Sequence, residues 1–126
     1  MRATLTPLKE GKKLEVRAIG DSSSASSYGQ FVWETLDGQP VCTVGMELSA
    51  MYSVSDILIE SAEDLLALGQ AIRHDRLMKG LSLREFAAIC NVTPQTIPNL
   101  EEGRHAIRAD LLIQVLNALG WKMRIK

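Results

Sequence analysis

Few side chains in this 126-residue sequence are spaced for covalent chemistry. Cys42 and Cys90 form no close-spaced metal or redox pair. Cys90 falls on an apolar helical face, where a free thiol behaves as a small hydrophobe, so it is expected buried and reduced. His74 and His105 lack partners at metal-ligand spacing and are expected on the surface. There is no Ser/His/Asp set, no phosphate-cradling glycine loop and no ligand cluster. The sequence therefore speaks against an enzyme, a metal site and a cofactor. The run Asp21 to Ser27 is a low-complexity loop. It offers hydroxyls for phosphorylation or binding, although a solvated hairpin loop accounts for the composition.

What remains is non-covalent chemistry, and charge gives it a direction. Residues 1–60 carry five basic and eight acidic groups, residues 61–126 nine basic and seven acidic. The second half is thus net positive in a chain of net charge −1, which favours a polyanionic partner there. Hydrophobic residues make up 46% and aromatics only 5%, so the core is mainly aliphatic. No apolar run approaches the roughly 20 residues of a membrane span. The first ten residues lack the apolar region of a signal peptide, and the expected location is the cytoplasm.

The elements that must carry this chemistry divide near residue 60. Leu14 to Ile19 is a strand rich in branched residues. Gln30 to Leu36 alternates, with Phe31, Trp33 and Thr35 on one face. Asp37-Gly38 signals a two-residue type I′ turn, and Pro40 to Met46 is the returning strand, with Pro40 at its start or edge. Together these predict a small antiparallel sheet over residues 1–60 that must pack on something else. Ile57 to Ile59 is a further brief extended segment.

From Ser61 the period changes. Ser61 and Asp64 form a capping box, and Leu65, Leu68 and Ile72 mark one face of a helix running to about Met78, with Gly80 as its stop. Ser82 and Glu85 form a second capping box before Leu83, Phe86, Ala87 and Cys90. Asn91-Val92 breaks this helix after about two turns. Thr93 as N-cap and Pro94 at the first helical position start a third, ended by Gly103. A fourth runs from about Ala109 to Leu119 and stops at Gly120. Trp121 to Lys126 alternates as a strand with Trp121, Met123 and Ile125 on its apolar face. The predicted class is α+β: a small N-terminal antiparallel β-sheet over 1–60, then an all-α unit of four to five helices with a C-terminal strand over 61–126.

Two short helices joined by a tight turn and flanked by further helices form the helix-turn-helix arrangement. Here Leu68 to Arg73, Gly80 to Ala87, Val92 to Ile97 and Glu101 to Gly103 closely resemble the Xre or Cro-repressor type of helix-turn-helix over about residues 61–120. The closing run Asn117 to Ile125 looks like HipB-type antitoxins within that family. Residues 1–50 resemble no family.

The resemblance implies roles. The helix from Pro94 to Glu101 would enter the major groove, with Gln95, Thr96 and Asn99 at base edges; the amides of Gln95 and Asn99 suit adenine. The helix end at Ser82 would approach a phosphate, and Arg73, Arg84, Arg104 and Arg108 would make further phosphate contacts. Trp121, Met123 and Ile125 would form a dimer contact, pairing the last strand with its copy; the competing partner is the chain's own sheet. A two-fold homodimer on a palindromic operator follows.

Three positions depart from the pattern. Leu83 replaces a polar phosphate donor, Pro94 stands where a polar base reader is common, and Pro98 lies inside the recognition helix, where a bend or short 3₁₀ stretch is expected. Two readings result: a repressor of transcription, with the self-repressing antitoxin of a toxin–antitoxin pair as its specific form, or a protein-interaction module that has lost DNA binding.

Overall fold

A computed structural model of the chain describes residues 1–20, 31–42, 48–102 and 108–124. The strands are β1 (Arg2–Pro7), β2 (Leu14–Gly20), β3 (Phe31–Thr35), β4 (Pro40–Cys42) and, after a short helix α1 (Leu48–Met51), β5 (Tyr52–Leu58). Then come α2 (Ala62–Met78), α3 (Leu83–Cys90), α4 (Thr96–Glu101), α5 (Ala109–Leu119) and β6 (Met123–Arg124). The class is α+β, as the patterning predicts. The serine-rich run 21–27, Met46, Gly103, Arg104, His105, Ile125 and Lys126 lie outside the described residues.

The strands form one sheet in the order β4-β3-β2-β1-β5-β6. All neighbours are antiparallel except β5 and β6, which run parallel. Two strands go beyond the sequence reading. β1 places Ala3 and Leu5 in the core between outward threonines, and β5 extends well before Ile57. Strict alternation fails in β5 because Val54 and Ile57 are both fully buried though three residues apart. A register shift opposite Arg2 and Thr4, with Asp56 at φ +52°, absorbs the extra residue.

The β3–β4 turn also differs from expectation. Thr35 N donates to Gln39 O at 2.8 Å and Gly38 N to Thr35 O at 2.9 Å, so the loop holds three residues, Leu36 to Gly38. Gly38 has positive φ (+92°) while Asp37 does not, which rules out type I′ and fits a turn closed by a bulge. Pro40 begins β4, the edge strand, where its missing N–H costs no ladder bond.

One face of the sheet and the helices enclose a common core. Val16, Trp33, Val54 and Ile57 meet Leu68, Ile72, Phe86, Ile97, Leu100, Val115 and Leu116. α2 is the central element, packed against β2 and β3 and also against α4. This position explains His74, which is buried rather than at the surface. Burial holds its imidazole below its usual pKa, partly offset by the neighbouring Asp75 carboxylate. Cys90 is buried as expected, and burial pushes its thiol up to about 11.

The last strand, expected over Trp121 to Lys126, begins at Met123 rather than at Trp121. Trp121 is buried, its ring edge-on to Trp33 at 6.3 Å and 83°. Lys122 N donates to Val54 O at 3.0 Å, after which Met123 and Arg124 pair with Ile57 and Leu58. The strand is therefore not left without an intrachain partner. It takes the N-terminal sheet of its own chain on one side and stands at the sheet's edge on the other.

Candidate nucleic-acid interface

Three helices end by the same device, and this sets the angles of the helix-turn-helix. α2, α3 and α5 are followed by left-handed residues Gly80, Asn91 and Gly120. In each case the next residue's N–H returns to the helix: Leu81 to Arg76 O, Val92 to Ala87 O and Trp121 to Leu116 O, at 3.2, 3.0 and 2.9 Å. These are Schellman closures, with an apolar residue folding back into the core each time. Asn91 is the notable member, because it takes positive φ (58°) without being glycine; Gln114 Nε2 donates to its carbonyl at 3.2 Å.

α3 begins as its sequence predicts. Ser82 Oγ accepts from Glu85 N at 3.1 Å, and Glu85 Oε1 accepts from Ser82 N at 3.0 Å. The Ser82 N–H, and after it the Ser82 hydroxyl, hold the Glu85 carboxyl below its usual pKa. The two bonds also satisfy the amides of Ser82 and Glu85, leaving those of Leu83 and Arg84 for an outside acceptor. Phe86, Ala87 and Cys90 face the core, whereas Leu83 and Arg84 are exposed.

α4 begins later than its sequence predicts. Its first helical residue is Thr96 and its N-cap is Gln95, not Thr93. The cause is Pro98, which has no N–H to give to the Pro94 carbonyl, so the first turn cannot join the helical ladder. A tighter turn replaces it, closed by Thr96 N to Thr93 O at 3.0 Å, and the two threonine hydroxyls lie 2.9 Å apart. Pro98 thus produces a tight turn rather than a broken helix.

Tertiary contacts hold this six-residue helix. Arg76 on α2 grips Glu101 on α4 with two bonds, Nε to Oε2 at 2.7 Å and Nη2 to Oε1 at 3.0 Å. Its Nη1 donates to Leu81 O at 2.9 Å, so one guanidinium joins α2, the turn before α3, and α4. Both partners are buried. Gly69 lets the two helices touch, since a Cβ there would lie 2.2 Å from the Leu100 carbonyl oxygen. Sequence reasoning missed Arg76 and Gly69. The available signal was a charge on an apolar stripe: Arg76 follows Leu68 and Ile72 at four-residue steps, and Glu101 stands four after Ile97.

The candidate readers are brought together unequally. Gln95 is exposed, and Thr96 and Asn99 are half-buried, all around the start of α4. Ile97, Leu100 and Glu101 turn inward, so Gln95 and Asn99 share the outer side. Among the arginines, Arg84 is exposed in the first turn of α3. Arg73 is half-buried and lines a depression of about 490 Å³ with Leu66, Leu83 and Pro98. Arg108 is exposed at the start of α5 and paired with Asp110 at 2.6 Å. Among the described residues no group of metal-ligating side chains occurs, and no helix is long and apolar enough to cross a membrane.

The crystal structure of the clp gene regulator ClgR from C. glutamicum is similar at 42% identity, over 45% of this chain and 73% of that one, with a TM-score of 0.40. No curated protein matches the chain significantly. Residues 72–123, from the middle of α2 to β6, match the helix-turn-helix family. The chain therefore belongs, through these residues, to the Xre/Cro-type helix-turn-helix family.

Proposed function

We propose that the chain is a DNA-binding transcriptional repressor acting as a homodimer, and that it serves as the self-repressing antitoxin of a toxin–antitoxin pair. The observation that carries DNA binding is the exposed Gln95 at the start of a helix fixed from behind by the Arg76–Glu101 fork. Preorganised side chains of this kind read base edges, while Arg84, Arg73, Arg104 and Arg108 supply phosphate contacts. A mobility-shift assay on the chain's own upstream DNA, at stated salt, tests this. Gln95→Ala is expected to cost roughly 1–3 kcal/mol on the specific site only. Arg84→Ala is expected to weaken specific and random DNA alike and to flatten the salt dependence. Equal losses on both DNAs for Gln95→Ala would remove it as a reader.

The place of β6 as the last strand of the sheet among the described residues supports the dimer. An exposed edge invites a strand, and a second β6 across a two-fold axis would complete it. Met123 is half-buried beside the exposed Ile113 in a shallow groove, an apolar flank for that contact. Two recognition helices would then sit about 34 Å apart, one turn of DNA. A monomeric mass by light scattering at assay concentration would reject the dimer. Co-expression with the neighbouring gene product tests the antitoxin role: a stable complex that relieves growth arrest supports it, and absence of any complex rejects it.

One observation favours a second reading, an interaction module without DNA binding. Leu66 and Leu83 are exposed and join Pro98 in the depression beside α4, so apolar groups stand near the place of a phosphate contact. Failure of the chain to bind any duplex at low salt would select this reading.

A further inference from the structure

Two sets of side chains lie on α4 and the turn before it. Gln95 at the N-cap and Asn99 one turn on are the polar members; Pro94, in the turn ahead of the helix, and Pro98, in its first turn, are the apolar ones. Pro94 is exposed and Pro98 half-buried, and Pro98 carries the apolar set into the depression with Leu83 and Leu66. On the other side of Gln95, Thr96 directs its hydroxyl to that of Thr93. Pro94 therefore stands next to the exposed Gln95 with no donor or acceptor on its side chain. Such a group discriminates between bases only by apolar contact, and the apolar group that base pairs display in the major groove is the thymine methyl.

We propose that Pro94 is a specificity-determining residue that selects a thymine methyl beside the base addressed by Gln95. This rests on the DNA-binding reading above and names part of the sequence that the site takes. Gln95 brings the amide pair that suits adenine, and Pro94 brings the adjoining apolar surface. The ring has a fixed φ and no rotamers to freeze, so the contact forms without an ordering cost at that side chain.

Selection from random duplexes supplies the preferred site. Each of its thymidines is then replaced singly by deoxyuridine, which pairs in the same way but lacks the methyl. The expected result is a loss of about fourfold at one thymidine per half-site and no change elsewhere, the worth of one buried methyl-sized group. Pro94→Ser tests the residue at an exposed position in the turn before α4, where serine is a common turn residue. This variant should keep its melting temperature and its Gln95-dependent preference, yet bind thymidine and deoxyuridine probes equally. Equal binding of both probes by the original chain overturns the proposal, as does a Pro94→Ser protein that still discriminates. A chain that selects no sequence overturns the DNA-binding reading itself, a result distinct from either.

Discussion

The two helices of the turn begin in opposite ways. α3 carries its start in its own sequence: Ser82 and Glu85 satisfy each other's amides, and Asn91 closes the far end. α4 has no side-chain cap, six residues, and a proline in its first turn. Isolated helices of that length are unstable in water, so α4 exists because other elements hold it. Arg76 grips its end, Gly69 lets α2 approach, and Ile97 and Leu100 are buried. A helix that must keep an outer side free for a ligand can take its stability from the inner side alone.

This contrast breaks most clearly at the buried fork. Arg76→Ala would leave Glu101 charged and unpaired in the interior, a loss of about 3–5 kcal/mol. Chemical denaturation measures it, and a loss below about 1 kcal/mol would mean that the fork does not hold α4. Next comes Gly69→Ala. The new Cβ meets backbone oxygen at 2.2 Å, contact that no rotamer relieves, so α2 and α4 must part at a cost of about 1–3 kcal/mol. Because that separation shifts the reading face, DNA affinity should fall together with stability.

The helix starts themselves give smaller effects. Ser82→Ala removes the α3 cap and is expected to cost about 1 kcal/mol, whereas Thr93→Ala, which removes a hydroxyl contact but no cap, should cost less than half as much. The two starts also differ in acid. Glu85 has its folded pKa lowered below the ordinary 4.5, so its capping contribution is present above that pH and is lost as pH falls through the lowered value. Melting curves below pH 4.5 should show Glu85→Gln less sensitive to acid than the original chain. Smallest of all is Pro98→Ala. It restores one helical bond to the Pro94 carbonyl but gives the unfolded chain more freedom, two effects of about 1 kcal/mol with opposite sign. The net change should lie within about 0.5 kcal/mol of zero, and a gain above 2 kcal/mol would show that Pro98 strains α4.

The parts of the molecule that the sequence by itself determined are those governed by neighbours in the chain. Ser82 with Glu85, Gly80, Asn91, Gly120 and the apolar periods of α3 and α5 act over four or five residues, so their outcome is written locally. Other features depended on partners distant in sequence. His74 stands one residue from Arg73 on α2, yet it is buried while Arg73 is half-buried. Leu65, expected on the inner face with Leu68 and Ile72, is left exposed. The bulge at Asp56 exists because β1 sets the register of β5. Trp121 to Arg124 show an apolar face in sequence, but their choice of β5 as partner was decided by Trp33 and Val54, 60 or more residues earlier. Arg76 and Glu101 each stand on an apolar stripe in the sequence, but only folding makes them partners. Local hydrogen bonds and steric limits fix where a helix starts and stops; only close packing of distant segments decides which of its faces is buried and which charge finds a partner there.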